Sequence, residues 1–292
     1  MSKSSHSEFG RLTKLVIKPT VHAFVSEEKM HQEWQALNYL QKPDFVLANE
    51  EYEKFERVLK ATGTELLHLP IGEGLSIDSL YCRDASIATD FGMIICRMGK
   101  QARAGEPEAQ KKFFADNDIT ILGEIEAPGT LEGGDVAWLD NKTMAVGHTY
   151  RTNLEGISQL KAMLEPKGVE VVVAELPHYR GPSDVFHLMS ILSPVDKNLA
   201  VVYSPLMPIA FRNLLLERGF QLVEVPEEEF DSMGCNVLAL TPRQCLMVEG
   251  NPITEKRLRD VDCEVITYKG QEISVKGGGG PTCLTRPISR GL

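Results

Sequence analysis

A short apolar strand recurs five times along this chain, and each copy is followed by a turn-rich loop, an amphipathic stretch and a second strand. The five first strands are read at 15–18, 93–96, 143–146, 199–203 and 245–248. The second strands are read at 65–68, 119–122, 169–173, 221–225 and 264–267. Between them, apolar residues fall at helical spacing, as in Leu154, Ile157, Leu160 and Leu164, or Phe211, Leu214 and Leu215. Gly63, Gly168 and Gly219 precede second strands, where a helix C-cap favours glycine. Five such strand–helix–strand units predict an α/β fold with internal pseudo-symmetry rather than an open doubly wound sheet. A dinucleotide site would need its glycines between a strand and a helix, whereas Gly277–Gly280 stand near the C-terminus with no helix-length segment after them. In a closed ring of such units, polar loops near the axis would converge on one central pocket.

No Ser/Pro/Gly-rich linker divides the 292 residues, so residues 1–292 read as a single domain. The net charge is -10 and no Lys/Arg run occurs, which argues against a nucleic-acid partner. The longest apolar runs are strand-sized and the N-terminal residues are polar, so neither a membrane span nor a signal peptide is expected. Six cysteines (82, 96, 235, 245, 263 and 283) contain no C-x-x-C pair, which fits reduced thiols in the cytoplasm better than zinc or a disulfide scaffold. Homo-oligomerisation is left open.

Three segments break the amphipathic pattern with clustered polar residues and glycines. They are Asp78-Ser-Leu-Tyr-Cys-Arg-Asp84 with Arg103-Ala-Gly-Glu106, Leu131-Glu-Gly-Gly-Asp135 with Gly147-His-Thr-Tyr-Arg-Thr-Asn153, and Lys276-Gly-Gly-Gly-Gly-Pro-Thr-Cys-Leu-Thr-Arg286. Four consecutive glycines cost backbone entropy, so the third segment needs close backbone approach or positive φ. Cys283 beside that loop could be a nucleophile, exposed by the loop and stabilised as thiolate by backbone N–H groups, or a small buried hydrophobe. A cysteine nucleophile needs a proton donor for its leaving group, and His187, between a Gly-Pro turn and an apolar strand, is the candidate. Glu132, followed by two glycines, could orient an imidazole, grip a cation, or simply form a turn. Arg103 and Arg151 follow strand ends and could hold a carboxylate by bidentate hydrogen bonds, or be solvated surface charges.

Taken together and in order, these motifs resemble the guanidino-group-modifying superfamily of arginine deiminases, amidinotransferases and dimethylarginine dimethylaminohydrolases. The resemblance covers the Arg-Asp pair at 83–84, Arg103-x-Gly-Glu106, Leu-Glu-Gly-Gly-Asp at 131–135, Arg-Thr-Asn at 151–153, Phe-His-Leu at 186–188 and Gly-Gly-x-x-Cys ending at Cys283. It implies a five-bladed α/β propeller of ββαβ units around a polar channel. It implies that Cys283 is the nucleophile, His187 the general acid and base, and Glu132 the carboxylate close to both His187 and the guanidinium. It implies that Asp84 binds guanidinium nitrogens, that Asp78 is a further polar contact, and that Arg103 and Arg151 bind the substrate α-carboxylate. No metal or organic cofactor is implied; the partner is a small guanidino compound.

Two positions bear on the substrate. Met189 stands two residues after His187, where deiminases and amidinotransferases carry a carboxylate, and this resembles the dimethylarginine hydrolases. Arg83 precedes Asp84 as in the deiminases, where dimethylarginine hydrolases commonly have an acidic residue. The expectation is a cysteine-dependent amidine hydrolase that converts an N-methylated arginine or related derivative to a ureido product through a covalent S-alkylthiouronium. The alternatives are arginine deiminase or dihydrolase, amidinotransferase, and a non-catalytic binding homologue.

Overall fold

Each first strand read from the sequence is the middle strand of its own small sheet in the computed structural model, which describes residues 2–291. The middle strands are Arg11–Ile17, Gly92–Ile95, Thr143–His148, Leu199–Val202 and Gln244–Val248. Each pairs in parallel with the second strand of its unit: Glu65–His68, Ile121–Glu124, Glu170–Glu175, Gln221–Glu224 and Glu264–Tyr268. The crossovers between them carry the helices Phe45–Ala61, Glu106–Asp116, Leu154–Leu164, Ile209–Glu217 and Pro252–Arg259. A helical crossover is what a parallel pair requires.

On its other side every middle strand pairs antiparallel with a third strand that the periodicity does not reveal. These are Thr285–Gly291, Ser86–Thr89, Val136–Asp140, Leu192–Asp196 and Leu238–Thr241. In the first sheet the third strand comes from the C-terminal end of the chain, and Lys3–Ser4 pairs beyond it, so both chain ends are tied into one sheet. The third and middle strands are almost wholly buried, whereas the second strands are part exposed. Burial on both faces explains why the middle strands read as continuous apolar runs rather than alternating ones.

The units repeat in detail. Two residues before the second strand in four units, and three before it in the unit of Asp118, stands a residue with positive φ: Gly63, Asp118, Gly168, Gly219 and Asp262. Three are glycines, and aspartate is among the few other residues that tolerate the left-handed region. Around Asp118 the chain first closes the preceding helix, with Ile119 N donating to Phe114 O, and the second strand starts at Ile121 rather than at 119. The helix Leu154–Leu164 buries Ile157, Leu160 and Leu164, but Leu154, at its first position, is exposed.

Neighbouring sheets touch through their third strands. Thr285–Gly291 contacts Ser86–Thr89, Val136–Asp140 contacts Leu192–Asp196, and Leu192–Asp196 contacts Leu238–Thr241, which in turn contacts Arg11–Ile17 of the first sheet. The remaining neighbours are joined by Trp138 Nε1 donating to Ala88 O at 3.1 Å. Contacts thus pass from sheet to sheet and return to the first, an arrangement compatible with pseudo-five-fold symmetry. Among the described residues no helix is long and apolar enough to cross a membrane.

Candidate active site

Because the five units run in the same sense, the residues just before each third strand lie at the same end of the sheets. One polar side chain is found there in every unit: Asp84 before Ser86–Thr89, Glu132 before Val136–Asp140, His187 before Leu192–Asp196, Asn236 before Leu238–Thr241 and Cys283 before Thr285–Gly291. The loops after the middle strands reach the same end and supply Arg103 and Arg151. All of these except Glu132, which lies buried directly behind His187, line one cavity.

His187 Nε2 is 2.8 Å from Glu132 Oε2, and its Nδ1 is 4.0 Å from Asp84 Oδ1. The other oxygen of Glu132 accepts from Gly99 N at 2.9 Å, Lys100 N at 3.1 Å and Arg151 Nη1 at 3.3 Å. Asp135 braces the same loop from behind, accepting from Leu188 N at 2.9 Å and Thr149 Oγ1 at 2.7 Å. Gly134 makes the packing feasible: a Cβ there would stand 2.4 Å from His187 Nδ1 and 2.7 Å from Asp84 Oδ1. One side-chain atom each of Asp84, Glu132 and His187 lies within 4.8 Å of the others, so two carboxylates meet at the imidazole.

Cys283 is the one cysteine of six that is not fully buried. Its Sγ accepts from Asn236 Nδ2 at 3.3 Å and lies 3.9 Å from Thr282 Oγ1, while Asn236 Oδ1 accepts from Thr282 N at 3.0 Å. The preceding glycine run is explained sterically. A Cβ on Gly277 or Gly279 would overlap Tyr81, one on Gly280 would stand 2.5 Å from Asn236 Oδ1, and Gly278 has φ +75°. The loop therefore wraps Tyr81 and Asn236 closely and sets the thiol on the cavity wall.

The arginines differ. Arg103 is buried and gives four of its five N–H groups to the protein: two to Glu106, one to Asp84 Oδ2 at 2.5 Å and one to Tyr81 O at 2.8 Å. It cannot hold a carboxylate bidentately as it stands, which corrects that expectation; one N–H on Nη1 remains. Arg151 gives a single N–H to Glu132, and its other donors have no protein partner among the described residues. Asp78 is engaged by Lys100, whose Nζ donates to Asp78 Oδ2 at 2.7 Å and to Leu37 O at 3.0 Å. Asp84 Oδ1 is buried with no hydrogen-bond partner among the described residues.

These contacts separate the protonation states. Burial opposes a charged His187, but Asp135, Asp84 and Glu132 outweigh it and push the imidazolium up to about 9. Burial likewise opposes charge on Glu132, yet the His187 hydrogen bond and the His187, Arg151 and Arg103 charges hold it well below the ordinary carboxylate range. Burial raises the Cys283 thiol and Asp84 adds to the effect, while the hydrogen bonds from Asn236 and Thr282 oppose them. At neutral pH the free site therefore holds an imidazolium and a thiol. An incoming cation beside Asp84 would relieve the field that disfavours the thiolate.

Sequence reasoning did not single out Asn236, Asp135, Glu106 or Lys100. Asp135 and Glu106 lie inside motifs already noted, whereas Asn236 follows no recognisable pattern. Its signal is positional, since it occupies in the fifth unit the place that the other four units fill with their site residues.

Residues 26–290 match the family described as N,N dimethylarginine dimethylhydrolase, eukaryotic. The N(G),N(G)-dimethylarginine dimethylaminohydrolase of Streptomyces coelicolor is 30% identical over 247 residues, covering 84% of this chain and 87% of that protein. A variant of the Pseudomonas aeruginosa dimethylarginine dimethylaminohydrolase, solved with citrulline, shares the fold at TM-score 0.77 and 24% identity, covering 94% of this chain and 99% of that one. SxtG, an amidinotransferase from Microseira wollei, does so at TM-score 0.81 and 14% identity, covering 99% of this chain and 98% of that one. The chain belongs to the dimethylarginine dimethylaminohydrolase family, hydrolases of amidine C–N bonds within the guanidino-group-modifying superfamily.

Proposed function

We propose that this chain hydrolyses an N-methylated arginine or closely related arginine derivative to a ureido product and an amine, through an S-alkylthiouronium on Cys283. The observation that carries this reading is the pairing of one accessible thiol with an unpartnered, buried Asp84 oxygen on the same cavity. Asp84 Oδ1 accepts a guanidinium N–H, and Glu132 adds negative charge behind His187. The bound cation favours loss of the Cys283 proton to solvent, and the resulting thiolate attacks the guanidinium carbon. The tetrahedral adduct collapses as the His187 imidazolium protonates the departing nitrogen, and an amine leaves. Neutral His187 then takes a proton from a water that attacks the thiouronium carbon. Collapse of this second adduct returns the sulfur to Cys283 and releases the ureido product.

At the other end of the substrate, Arg151 offers unpartnered donors to an α-carboxylate, and Arg103 adds its one remaining N–H. Asp78 acts through Lys100, which it holds on the cavity wall. Substitution on the guanidinium is favoured by Met189, an apolar side chain lining the cavity where a second carboxylate would otherwise grip the leaving nitrogen. The five sheets form a closed propeller in one domain, with this cavity at one end of its axis. Six free thiols support a reducing compartment, the cytoplasm, as its location.

The test is a product assay across monomethylarginine, dimethylarginine, arginine and agmatine, with and without a free amine as acceptor. Citrulline plus methylamine or dimethylamine from the first two is expected. Preference for arginine would make the enzyme a deiminase or dihydrolase, transfer to the added amine an amidinotransferase. Absence of any product together with an unreactive Cys283 would leave a binding protein.

A further inference from the structure

Beyond the catalytic residues, the third strand of the first sheet carries two arginines inward. Arg286 and Arg290 lie four residues apart on Thr285–Gly291, and with Arg83 they form a group of three guanidinium side chains that are 5%, 1% and 1% exposed, respectively. Among the described residues Glu8 is the one carboxylate hydrogen-bonded to them, through Arg83 Nη2 at 2.8 Å. The other contacts are neutral: Arg286 Nη2 donates to Arg83 O at 2.8 Å, and Arg290 Nη1 donates to Gly10 O at 2.6 Å and Ala239 O at 2.8 Å. Glu8 in turn accepts from Trp138 N at 3.4 Å. The group is thus bounded by the third strands of the first, third and fifth sheets, and none of the reaction steps above uses it.

Among the described residues, three cations against one hydrogen-bonded anion leave a surplus of two positive charges in this group. Five buried guanidinium nitrogens have no partner among the described residues: Nε and Nη1 of Arg83, Nε of Arg286, and Nε and Nη2 of Arg290. Burial lowers Arg286 and Arg290 to about 10, which still leaves both charged at neutral pH. Water molecules could satisfy the donors but not the charge, and an uncompensated buried charge costs several kcal/mol. Asp84, the nearest carboxylate in sequence, is already engaged by Arg103.

We propose that Arg83, Arg286 and Arg290 form an internal binding site for a small inorganic anion, of which chloride is the physiological representative. Arg286 and Arg290 are too deeply buried to admit an organic acid, and unpartnered guanidinium N–H groups suit a monatomic anion that accepts from several directions. Occupancy would lock the C-terminal strand to Arg83 and so to the loop that carries Asp84.

The proposal is tested on the whole protein by thermal unfolding in sodium chloride and in sodium gluconate at equal ionic strength, and by crystallography in sodium bromide. A saturable rise of Tm in chloride alone is expected, with an anomalous bromide peak among the three guanidinium groups. Glu8→Gln raises the surplus charge and should lower the half-saturating chloride concentration by about tenfold or more, since a close unit charge in the interior is worth at least that factor. Arg290→Met should weaken the chloride effect by a similar factor. The proposal is overturned if chloride and gluconate give the same Tm for wild type, or if the bromide crystals show water alone. A half-saturating concentration that Glu8→Gln raises or leaves unchanged also overturns it. The wild-type measurements decide the matter even where a variant fails to fold.

Discussion

Replacing Arg103 by alanine should be among the most damaging single changes outside the hydrophobic core. Asp84 and Glu106 are each 3% exposed, and both depend on this guanidinium. Removing one partner of a buried ion pair costs about 3–5 kcal/mol because the other charge is left uncompensated. At roughly 2–4 °C per kcal/mol for a chain of this size, Tm should fall by about 6–20 °C. The pH dependence has a definite sign. Even with Arg103 present, burial outweighs its attraction and Glu106 sits at about 7, above its ordinary 4.5. A carboxylate raised in the fold destabilises it increasingly as pH climbs above its unfolded value. Without Arg103 the shift is larger, so the deficit should be greatest at pH 8 and shrink toward pH 5. Chemical denaturation of wild type and Arg103→Ala across that range measures it, and adding Glu106→Gln to the variant should recover part of the loss. A deficit below about 1 kcal/mol, typical of a surface arginine, would refute the reasoning, as would a deficit that does not change with pH.

Other consequences are equally direct. Gly134→Ala should displace His187 or Asp84 and lower kcat/KM by about 100-fold or more while circular dichroism stays native-like, since its Cβ would lie 2.4 Å from His187 Nδ1. The kcat/KM profile should fall as pH rises through about 9, where the free enzyme loses the His187 proton. Glu132→Gln removes a charge that favours that proton, and should move the alkaline limb to lower pH. Arg151→Ala should raise KM for carboxylate-bearing substrates by roughly 30- to 1,000-fold, from the loss of about 2–4 kcal/mol of charge-assisted binding, and should raise it far less for agmatine, which shares only the loss of the Glu132 contact.

The parts of this account that were legible in the sequence are those with a local physical signature. The middle strands are buried on both faces, so Leu199–Val202 and Gln244–Val248 stand out as apolar runs. Their third-strand partners do not. Leu192–Asp196 is interrupted by Ser193 and Pro194, and Thr285–Gly291 by Arg286 and Arg290; Ser193 and the two arginines are buried polar groups that local hydropathy cannot anticipate. Cys283 and Glu132 were visible because steric crowding forces glycines beside them. Asn236 was not, because its neighbour Gly280 is crowded from another part of the chain. Arg103 was found, but its role was misjudged in one respect. The motif shows a guanidinium near a glycine and a glutamate, and only the fold reveals that Glu106 and Asp84 take most of its donors.

The central claim is that Cys283 forms a covalent bond to the guanidinium carbon. It is tested most directly by rapid quench and peptide-mapping mass spectrometry of His187→Gln, which lacks the group that activates the hydrolytic water. With a methylarginine analogue whose leaving group departs unaided, a thiouronium should accumulate on the peptide containing Cys283. Cys283→Ser should form no adduct and lose all but a few per cent of activity, because an alcohol is too weakly acidic to attack. An adduct on Cys82, Cys96, Cys235, Cys245 or Cys263, or full turnover by Cys283→Ser, would contradict the account.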